Sequence, residues 1–248
     1  MKFSIITATY NCMDTVKDCL HSVYSQSHPR VEHIIIDGAS SDSTLDLIRR
    51  QPTRASRVIS EPDRGIYDAL NKGIRHATGN VIGFLHADDE LWDEKTLEQI
   101  NQTFKLSGAD VIYGGLVYVS KDQEKRIIRT WKSEPFHPGK LQRGWMPAHP
   151  TVFMKREVYD KHGQFNLDYK ISADYEFILR VFKDTSLKIV NVPNIITKMR
   201  IGGTSNNGLR NIIRKSSEDF RAMRSNKLPF PVFVLLSKNI SKIPQFFI

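Results

Sequence analysis

Cysteine is scarce in this sequence, and its placement excludes a disulfide framework. The 248 residues include two cysteines, Cys12 and Cys19. If this segment is helical, seven residues place the two Cα atoms roughly 10 Å apart, which is beyond disulfide range. The sequence also shows no signal peptide, because polar residues soon follow the apolar run at 3–8. These features predict reduced thiols and a cytoplasmic location.

Glycine-rich phosphate loops are absent as well. Neither GxGxxG nor GxxxxGK(S/T) occurs, so a dinucleotide fold or a P-loop would have no phosphate cradle. The composition is otherwise that of a globular protein, with 40% hydrophobic and 25% charged residues. Disorder, collagen and coiled coil are therefore excluded, and the length suits one large domain.

Negative charge is scarce towards the C-terminus. The formal net charge is +9, and the segment from Lys198 to the end carries ten cations against two acids. A basic segment on a nearly neutral body predicts an anionic partner, either phospholipid or nucleic acid. We predict no nucleic-acid binding, because the cations are not interleaved with aromatic residues for base stacking.

Residues 206–248 are expected to form a basic, amphipathic helical extension. Its apolar stretch, Leu228–Leu236, is too short to span a bilayer. Combined with the basic residues from Arg210 to Lys227 and the terminal Pro244–Ile248, it is typical of an interfacial anchor on anionic lipid. The alternative is that the segment packs onto its own core or onto a second subunit.

The first half of the chain alternates β-rich runs with helical periodicity. This pattern predicts an α/β fold with right-handed crossovers and a mixed, mostly parallel central sheet flanked by helices. Beyond residue 110 the runs at 111–119 and 126–131 predict longer strands that suit antiparallel pairing. We expect one domain over 1–205, with halves 1–109 and 110–205. The predicted strands of the first half are 3–8, 31–36, 57–60 and 81–85.

Acidic residues follow several of these strands. Ligands of open α/β sheets bind at the carboxyl ends of the strands, where Asp37, Asp63 and the run Asp88, Asp89, Glu90 are expected. Three adjacent acids repel one another unless a cation relieves them, and carboxylate oxygens suit Mg²⁺ or Mn²⁺. The alternative is that Asp89 caps a helix near residue 94 while its neighbours are solvated.

Other candidates have ordinary explanations when each is taken alone. Asp37 precedes glycine and suits a turn, and Asp174 suits the first turn of a helix. Arg64 suits a solvated surface position, and His149 a structural hydrogen bond. Their expected convergence at one edge of one sheet favours a functional site.

The motifs resemble the signatures of family 2 glycosyltransferases, which have the GT-A fold. The resemblance extends over about residues 3–205 and, on its acceptor side, is similar to the branch that builds bacterial surface polysaccharides. The matching segments are Ser4–Asn11, Ile36–Thr44, Glu61–Gly73, Phe84–Glu90, His149–Thr151 and Ser172–Glu176.

The resemblance implies a role for each matching position. Asp174 would be the catalytic base, Asp88 would contact the ribose, and Asp89, with Asp88, would bind a Mn²⁺ or Mg²⁺ ion that bridges the diphosphate. Two departures are Ala8, where the family often has Pro, and His86, where it often has Asp. The residues implied in nucleotide-sugar binding are Thr7, Thr9, Tyr10, Asn11, Asp37, Asp63, Arg64, Asn71 and Asp88.

The chemistry of sugar transfer agrees with these roles. It needs a stabilised leaving group, a deprotonated acceptor hydroxyl and in-line geometry. A metal would offset the charge of the departing diphosphate, and Asp174 would take the proton, so that configuration inverts. A glycosidase would instead need two carboxylates around the glycosidic bond and no nucleotide site.

Four further residues are weaker candidates. Trp145 and Tyr175 could stack on an acceptor sugar, although packing is the favoured interpretation for both. His149 lies in the acceptor-side motif. Arg200 begins a segment, Arg200–Ser205, that suits either a loop closing over the diphosphate or an ordinary glycine turn.

The sequence therefore predicts an inverting, metal-dependent glycosyltransferase. We expect a nucleotide-diphosphate sugar donor, with UDP favoured by the resemblance, and a lipid-linked or growing saccharide acceptor. The setting would be capsule, exopolysaccharide or O-antigen synthesis, peripherally on the inner face of a bacterial plasma membrane. Alternatives are a sugar nucleotidyltransferase, which would want a glycine-rich loop near the N-terminus, and a non-catalytic nucleotide-sugar-binding subunit.

Overall fold

A computed structural model describes residues 1–52, 54–122, 126–202 and 209–240. Strands and helices alternate regularly up to Phe84, and the order of elements is irregular after that residue. The strands are β1 (Phe3–Thr9), β2 (Val31–Asp37), β3 (Ala55–Ser60), β4 (Val81–Phe84), β5 (Asp89–Leu91), β6 (Val111–Val119), β7 (Ile127–Trp131), β8 (Phe153–Lys155) and β9 (Ile189–Arg200). The helices are α1 (Val16–Tyr24), α2 (Thr44–Arg50), α3 (Ile66–His76), α4 (Thr96–Ser107), α5 (Arg156–His162), α6 (Ala173–Phe182), α7 (Leu209–Ser225) and α8 (Pro231–Ile240).

All of these strands join one mixed sheet in the order β3-β2-β1-β4-β8-β6-β9-β5, with β7 paired to β6. The first four strands are parallel, as the βαβ pattern predicts. β6 pairs antiparallel with β7 and β8 but parallel with β9. The predicted fold class, a mixed α/β sheet flanked by helices, is confirmed.

The central strands are covered on both faces, which explains their continuous apolar runs. Ile6 packs on the side of α3, in one cluster with Leu70 and Ile74, whereas Ile5 packs on the opposite side with α1 and α4. Gly73 permits the close approach of α3, because a Cβ there would lie 2.3 Å from the Ile6 side chain. The carboxyl ends of β1, β2 and β3 thus share one well-supported edge.

Two elements differ from the sequence-based expectation. The predicted strand segments at 187–192 and 195–199 form a single strand, β9, whose pairing with β6 shifts register near Gly115. Asp89 lies in the short strand β5, which pairs antiparallel with β9. The alternative role of Asp89 as a helix cap is wrong, because α4 begins at Thr96 and the carboxylate of Asp93 accepts from Thr96 there.

The C-terminal helices α7 and α8 pack against the body of the domain. Ala222 and Met223 of α7 and Val234 of α8 belong to the main apolar core. Asp219 and Lys238 form a buried ion pair of 2.7 Å, with the ammonium 3.1 Å from the centre of the Tyr175 ring. The part of the extension that is described therefore closes the core, while 203–208 and 241–248 lie outside the described residues.

Within the described ranges, no helix combines the length and the hydrophobicity needed to cross a bilayer.

Candidate active site

Asp37, at the end of β2, fixes the loops at the strand ends. Its buried carboxylate accepts hydrogen bonds from the Thr9 hydroxyl (3.1 Å), the Ser60 hydroxyl (2.7 Å), and both the amide (2.9 Å) and hydroxyl (2.5 Å) of Ser40. Two carboxylate oxygens accept about four hydrogen bonds, so this set fills them. Asp37 and Thr9 therefore shape the predicted nucleotide edge, and Asp37 presents no open acceptor of its own.

Tyr10, Asn11 and Asp63 lie around this edge. Asn11 adopts a left-handed backbone conformation, with φ of 46°, and its side-chain oxygen accepts from the Ser41 amide at 2.9 Å. The Tyr10 ring is 66% exposed. Asp63 accepts from the Gly65 amide and lies so close to Gly38 that a Cβ there would be 2.5 Å from its carboxylate. The structure thus gathers these three predicted residues on one accessible rim.

Thr7 and Asn71 do not reach that rim, which corrects their predicted role. Thr7 is one strand repeat further inside the sheet, and its buried hydroxyl contacts His33 Nε2 at 2.9 Å. Asn71 lies on the buried face of α3 and exchanges two hydrogen bonds with the backbone of Phe165. Both side chains are structural, because neighbouring elements satisfy them.

Arg64 borders a cavity between the two halves of the domain. Its side chain is 72% exposed and lies 3.6 Å from Asp68. The cavity measures about 370 Å³ and contains three cationic side chains against one acid. Its charge suits an anionic group. The lining residues are Arg64, Gly65, Ile66, Tyr67, Asp68, Leu167, Tyr169, Lys170 and Arg214.

Asp89 is a buried carboxylate to which the described residues supply no hydrogen bond. Neither of its oxygens has a hydrogen-bond partner within the described part of the chain. Burial, followed by the charges of Asp88 and Glu90, raises the pKa of Asp89 well above its usual value, against a weaker opposing effect of Arg200. Burial also raises the pKa of Asp88. A carboxylate held in this way would be relieved by a cation.

A metal would still need ligands from outside this pair. Among residues 1–52, 54–122, 126–202 and 209–240, no three His, Cys, Asp or Glu side chains form a metal-binding group. Mg²⁺ commonly uses one or two carboxylates plus substrate phosphates. The orphaned oxygens of Asp89, next to Asp88, fit that kind of incomplete site.

Arg200 supplies the positive charge opposite these acids. It ends β9, its guanidinium is mostly buried, and it pairs with Asp18 and lies 3.8 Å from Glu90. Its charge also acts on Asp88 and Asp89. Arg200 therefore stands beside the acidic loop, whereas residues 203–205 of the predicted closing loop lie outside the described residues.

Asp174, in the first turn of α6, is held by two side chains. Tyr67 donates to Oδ1 at 3.1 Å, and His149 Nδ1 lies 3.2 Å from Oδ2. His149 Nε2 in turn lies 3.1 Å from Nε2 of His86, two residues before Asp88. The acidic loop and Asp174, predicted to converge, are thus linked through two histidines.

Burial sets the charge states around Asp174. Burial and the adjacent Asp174 raise the pKa of Tyr67 well above its usual value, so its hydroxyl remains a donor. Burial and the neighbouring His149 lower the pKa of His86 to about 3. Burial also lowers the pKa of His149, against the effect of Asp174. At neutral pH both imidazoles are uncharged.

The two aromatic acceptor candidates are packing residues, as the favoured interpretation predicts. Tyr175 is 1% exposed beneath Lys238, because adjacent helical positions point about 100° apart and Asp174 takes the cleft. Trp145 stacks on Phe136 with 5.8 Å between ring centres, and its edge contacts Tyr113. Of the predicted acceptor residues, His149 alone contacts Asp174 within the described structure.

Sequence reasoning missed Glu218 of α7. Its buried carboxylate accepts from the backbone amides of Lys170, Ile171 and Ser172, immediately before Asp174. The single Tyr67 hydroxyl proton is shared between the Ile171 carbonyl of the same segment, at 2.7 Å, and Asp174 Oδ1, at 3.1 Å. The available signal was compositional, since Glu218 is one of two acids in a strongly basic stretch.

Solved structures share this architecture. One is Staphylococcus aureus TarS 1–349 in complex with UDP-GlcNAc, with a TM-score of 0.70 and 17% identity over 91% of this chain and 65% of that chain. Another is the mannosyltransferase PcManGT from Pyrobaculum calidifontis in complex with GDP-Man and Mn²⁺, with a TM-score of 0.66, 20% identity, and coverage of 96% and 68%. The fold is that of the GT-A glycosyltransferases. This chain spans just under two thirds of the TarS fragment.

Comparison of the sequence with known proteins identifies the family. The family model for glycosyl transferase family 2 matches residues 4–165, and the chain belongs to that family. It is 30% identical to a PGL/p-HBAD biosynthesis glycosyltransferase of Mycobacterium bovis, over 82% of this chain and 79% of the relative. It is also 38% identical over 99 residues to a putative teichuronic acid biosynthesis glycosyltransferase, TuaG, of Bacillus subtilis, covering 39% of each chain. The chain is a glycosyltransferase, as its motifs predict.

Replacing Glu218 should test how α7 supports the segment before Asp174. We expect Glu218→Gln to lower the free energy of unfolding by about 1–3 kcal/mol at pH 7, because an amide group would face backbone donors. Burial acts to raise the pKa of Glu218, but the three amides outweigh it and lower that pKa below the usual 4.5. The stabilisation should thus be complete above about pH 4.5 and decline as pH falls through the folded-state pKa.

Urea unfolding between pH 3 and 8 would measure this difference. Glu157→Gln, an exposed acid of α5, serves as the matched control and should stay near the wild type. A stability gap between Glu218→Gln and wild type that remained constant down to pH 3 would contradict the assigned role.

Proposed function

We propose that this enzyme inverts configuration as it transfers a sugar from a nucleotide-diphosphate donor to a hydroxyl group of a bacterial surface saccharide. The observation that carries the proposal is the setting of Asp174. Its side chain is 20% exposed, accepts from Tyr67, and lies 3.2 Å from His149, whose ring contacts His86 beside the acidic loop. Tyr67, which contacts Asp174, also lines the cavity, so a base at this position stands beside it.

Asp174 would act as general base. It would take the proton of the acceptor hydroxyl while the oxygen attacks the anomeric carbon. The bond between that carbon and the diphosphate oxygen breaks, and its electrons leave with the nucleoside diphosphate. Attack on the face opposite the leaving group inverts the configuration. The donor from Tyr67 to Oδ1 keeps the carboxylate oriented during this step.

A nucleotide sugar is the donor that the site favours. The rim formed by Tyr10, Asn11 and Asp63 stands at the carboxyl ends of the first strands, where nucleotides bind in open α/β sheets. The related folds were solved with UDP-GlcNAc and with GDP-Man. We favour a UDP-sugar on the family resemblance.

Asp89, with Asp88, would hold Mn²⁺ or Mg²⁺. The orphaned, buried oxygens of Asp89 support this assignment. When bound, the ion would supply charge neutralisation for the departing diphosphate.

The acceptor would be a lipid-linked or growing saccharide. The cavity beside Tyr67 contains Arg64, Lys170 and Arg214, a charge pattern that suits an acceptor bearing phosphate. The names of the relatives, which concern PGL/p-HBAD and teichuronic acid biosynthesis, favour a cell-surface product.

Helix α8 would place the enzyme on the inner face of the plasma membrane. Phe230, Val232, Phe233 and Leu236 are 77%, 57%, 73% and 53% exposed. Exposed cations of α7 and the following turn, such as Arg224, accompany them. This combination suits anionic lipid. The predicted contributions of Lys242 and 244–248 lie outside the described residues.

Asp174→Asn should abolish turnover and spare donor binding. We expect the rate of nucleoside diphosphate release from the accepted sugar nucleotide to fall about 10²- to 10⁴-fold, because an amide cannot accept the proton. Calorimetry should show donor affinity within about twofold of wild type, since binding does not use the base. Exposed Asp168, in the preceding loop, provides the control variant Asp168→Asn. Unchanged release by Asp174→Asn would refute the assignment.

Asp89→Asn should weaken metal binding. Electron paramagnetic resonance of free Mn²⁺, titrated with the enzyme and a nucleoside diphosphate, measures the affinity directly. We expect a loss of about tenfold or more, because the variant removes a charged ligand. Exposed Glu94, replaced by Gln, is the control. Equal Mn²⁺ affinity in both variants would remove Asp89 as a ligand.

The double variant Phe230→Ser, Phe233→Ser should reduce membrane binding. We expect sedimentation with vesicles of anionic phosphatidylglycerol to fall by about tenfold or more, since each buried Phe contributes about 1.5–3 kcal/mol. Leu106→Ser, at an 89% exposed site on α4, is the control. Wild-type protein that stays in the supernatant, or a double variant that sediments like wild type, would contradict the proposal.

A further inference from the structure

Two histidines and the base form a chain that crosses three segments. His86 follows β4, His149 begins the short 3₁₀ turn His149–Thr151, and Asp174 lies in the first turn of α6. The separations are 3.1 Å between the two Nε2 atoms and 3.2 Å between His149 Nδ1 and Asp174 Oδ2. The contact between the two rings is a hydrogen bond, and the contact between His149 and Asp174 is a close approach of a ring nitrogen to a carboxylate oxygen. The mechanism above uses only the last member.

The position of each proton follows from hydrogen-bond accounting. An ionised carboxylate only accepts, so the His149 nitrogen facing Asp174, Nδ1, must carry a proton. A neutral imidazole carries one proton, which leaves His149 Nε2 as an acceptor. The proton between the two rings must then come from His86 Nε2. His86 is consequently unprotonated at Nδ1, a buried atom with no partner among the described residues.

The opposite arrangement is less favourable on two counts. With a proton on His149 Nε2 alone, the Nδ1 lone pair would face the Asp174 carboxylate at 3.2 Å. His86 would then accept at Nε2 and bury an unpaired N–H at Nδ1, and orphaned buried N–H groups are rare. Double protonation of either ring would also put a proton on His86 Nδ1, where the described residues offer no partner.

We propose that His149 is a positioning residue for Asp174 and that His86 locks His149 in the tautomer that donates to Asp174. Oδ1 shares the single Tyr67 hydroxyl proton with the Ile171 carbonyl, so a proton on His149 Nδ1 would give Oδ2 a donor of its own and leave a lone pair for the acceptor. The pair also rationalises His86. A carboxylate at this position could only accept, and would therefore favour the other tautomer of His149.

The tautomers can be read without any substrate. In protein with ¹⁵N-labelled histidine, two-bond ¹H–¹⁵N correlation spectra distinguish protonated from unprotonated ring nitrogens. We expect His149 to be protonated at Nδ1 and His86 at Nε2 at pH 7, with signals assigned by their loss in His149→Asn and His86→Gln. His149 protonated at Nε2 alone would overturn the proposal. This measurement is independent of the proposed function.

The kinetic consequence rests on the proposed function and uses variants matched in shape. His149→Asn retains a donor near the position of Nδ1, whereas His149→Leu removes it. We expect His149→Leu to lower kcat about 10- to 100-fold with donor KM within about twofold, as for loss of a hydrogen bond to a charged group. His149→Asn should recover most of that loss. Equal kcat in the two variants would overturn the positioning role.

Changes at His86 test whether it acts through His149. His86→Leu should lower kcat in the wild-type background, and His86→Gln, which retains a donor, should restore it. In the His149→Asn background His86→Leu should have no further effect, because no tautomer remains to be fixed. Additive losses would indicate a separate role for His86 and overturn the lock. If wild type and Asp174→Asn release nucleotide equally, the proposed function fails while the tautomer assignment stands.

Discussion

A carboxylate that leaves water must find donors or a cation, and this requirement organises the whole molecule. Asp37 has a full set of donors and fixes the loops at the strand ends. Glu218 has three backbone amides and fixes the segment before α6. Asp174 shares the Tyr67 hydroxyl with Ile171, lies 3.2 Å from His149 and is partly exposed, and Asp89 has no donor within the described chain. Acids whose oxygens are fully hydrogen-bonded thus hold the structure of the site, and acids with few hydrogen bonds are the ones proposed to act in it.

The alternation of strands and helices was predictable because both faces of β1, β2 and β4 are buried. Such strands read as continuous β-branched runs, and amphipathic periodicity marks the helices between them. The same logic placed Asp37, Asp88 and Asp89 at one edge, since parallel strands end together. These predictions required only local patterns, because each crossover returns the chain to the same side of the sheet.

Other features depend on contacts between distant parts of the chain. The three-residue strand β5 exists because β9 lies beside it, and residues 89–91 alone resemble a solvated acidic loop. Thr7 and Asn71 match family positions, yet their neighbours His33 and Phe165 occupy them. The contact between His86 and His149 joins residues 63 positions apart, and no periodic pattern in the sequence indicates it. Pairings of this kind are set by the fold as a whole.

The basic C-terminal extension has a consequence for how the enzyme can be shortened. Its composition suggests a detachable appendage, but α7 supplies Glu218 to the segment before the base, and α8 covers Tyr175 with Lys238. A fragment that ended after β9 would leave the backbone amides of residues 170–172 without the Glu218 acceptor. It would also expose the apolar surface that Met223 and Val234 cover. Such a fragment would be incompletely packed and prone to aggregation. A minimal version of this enzyme therefore has to keep helices α7 and α8.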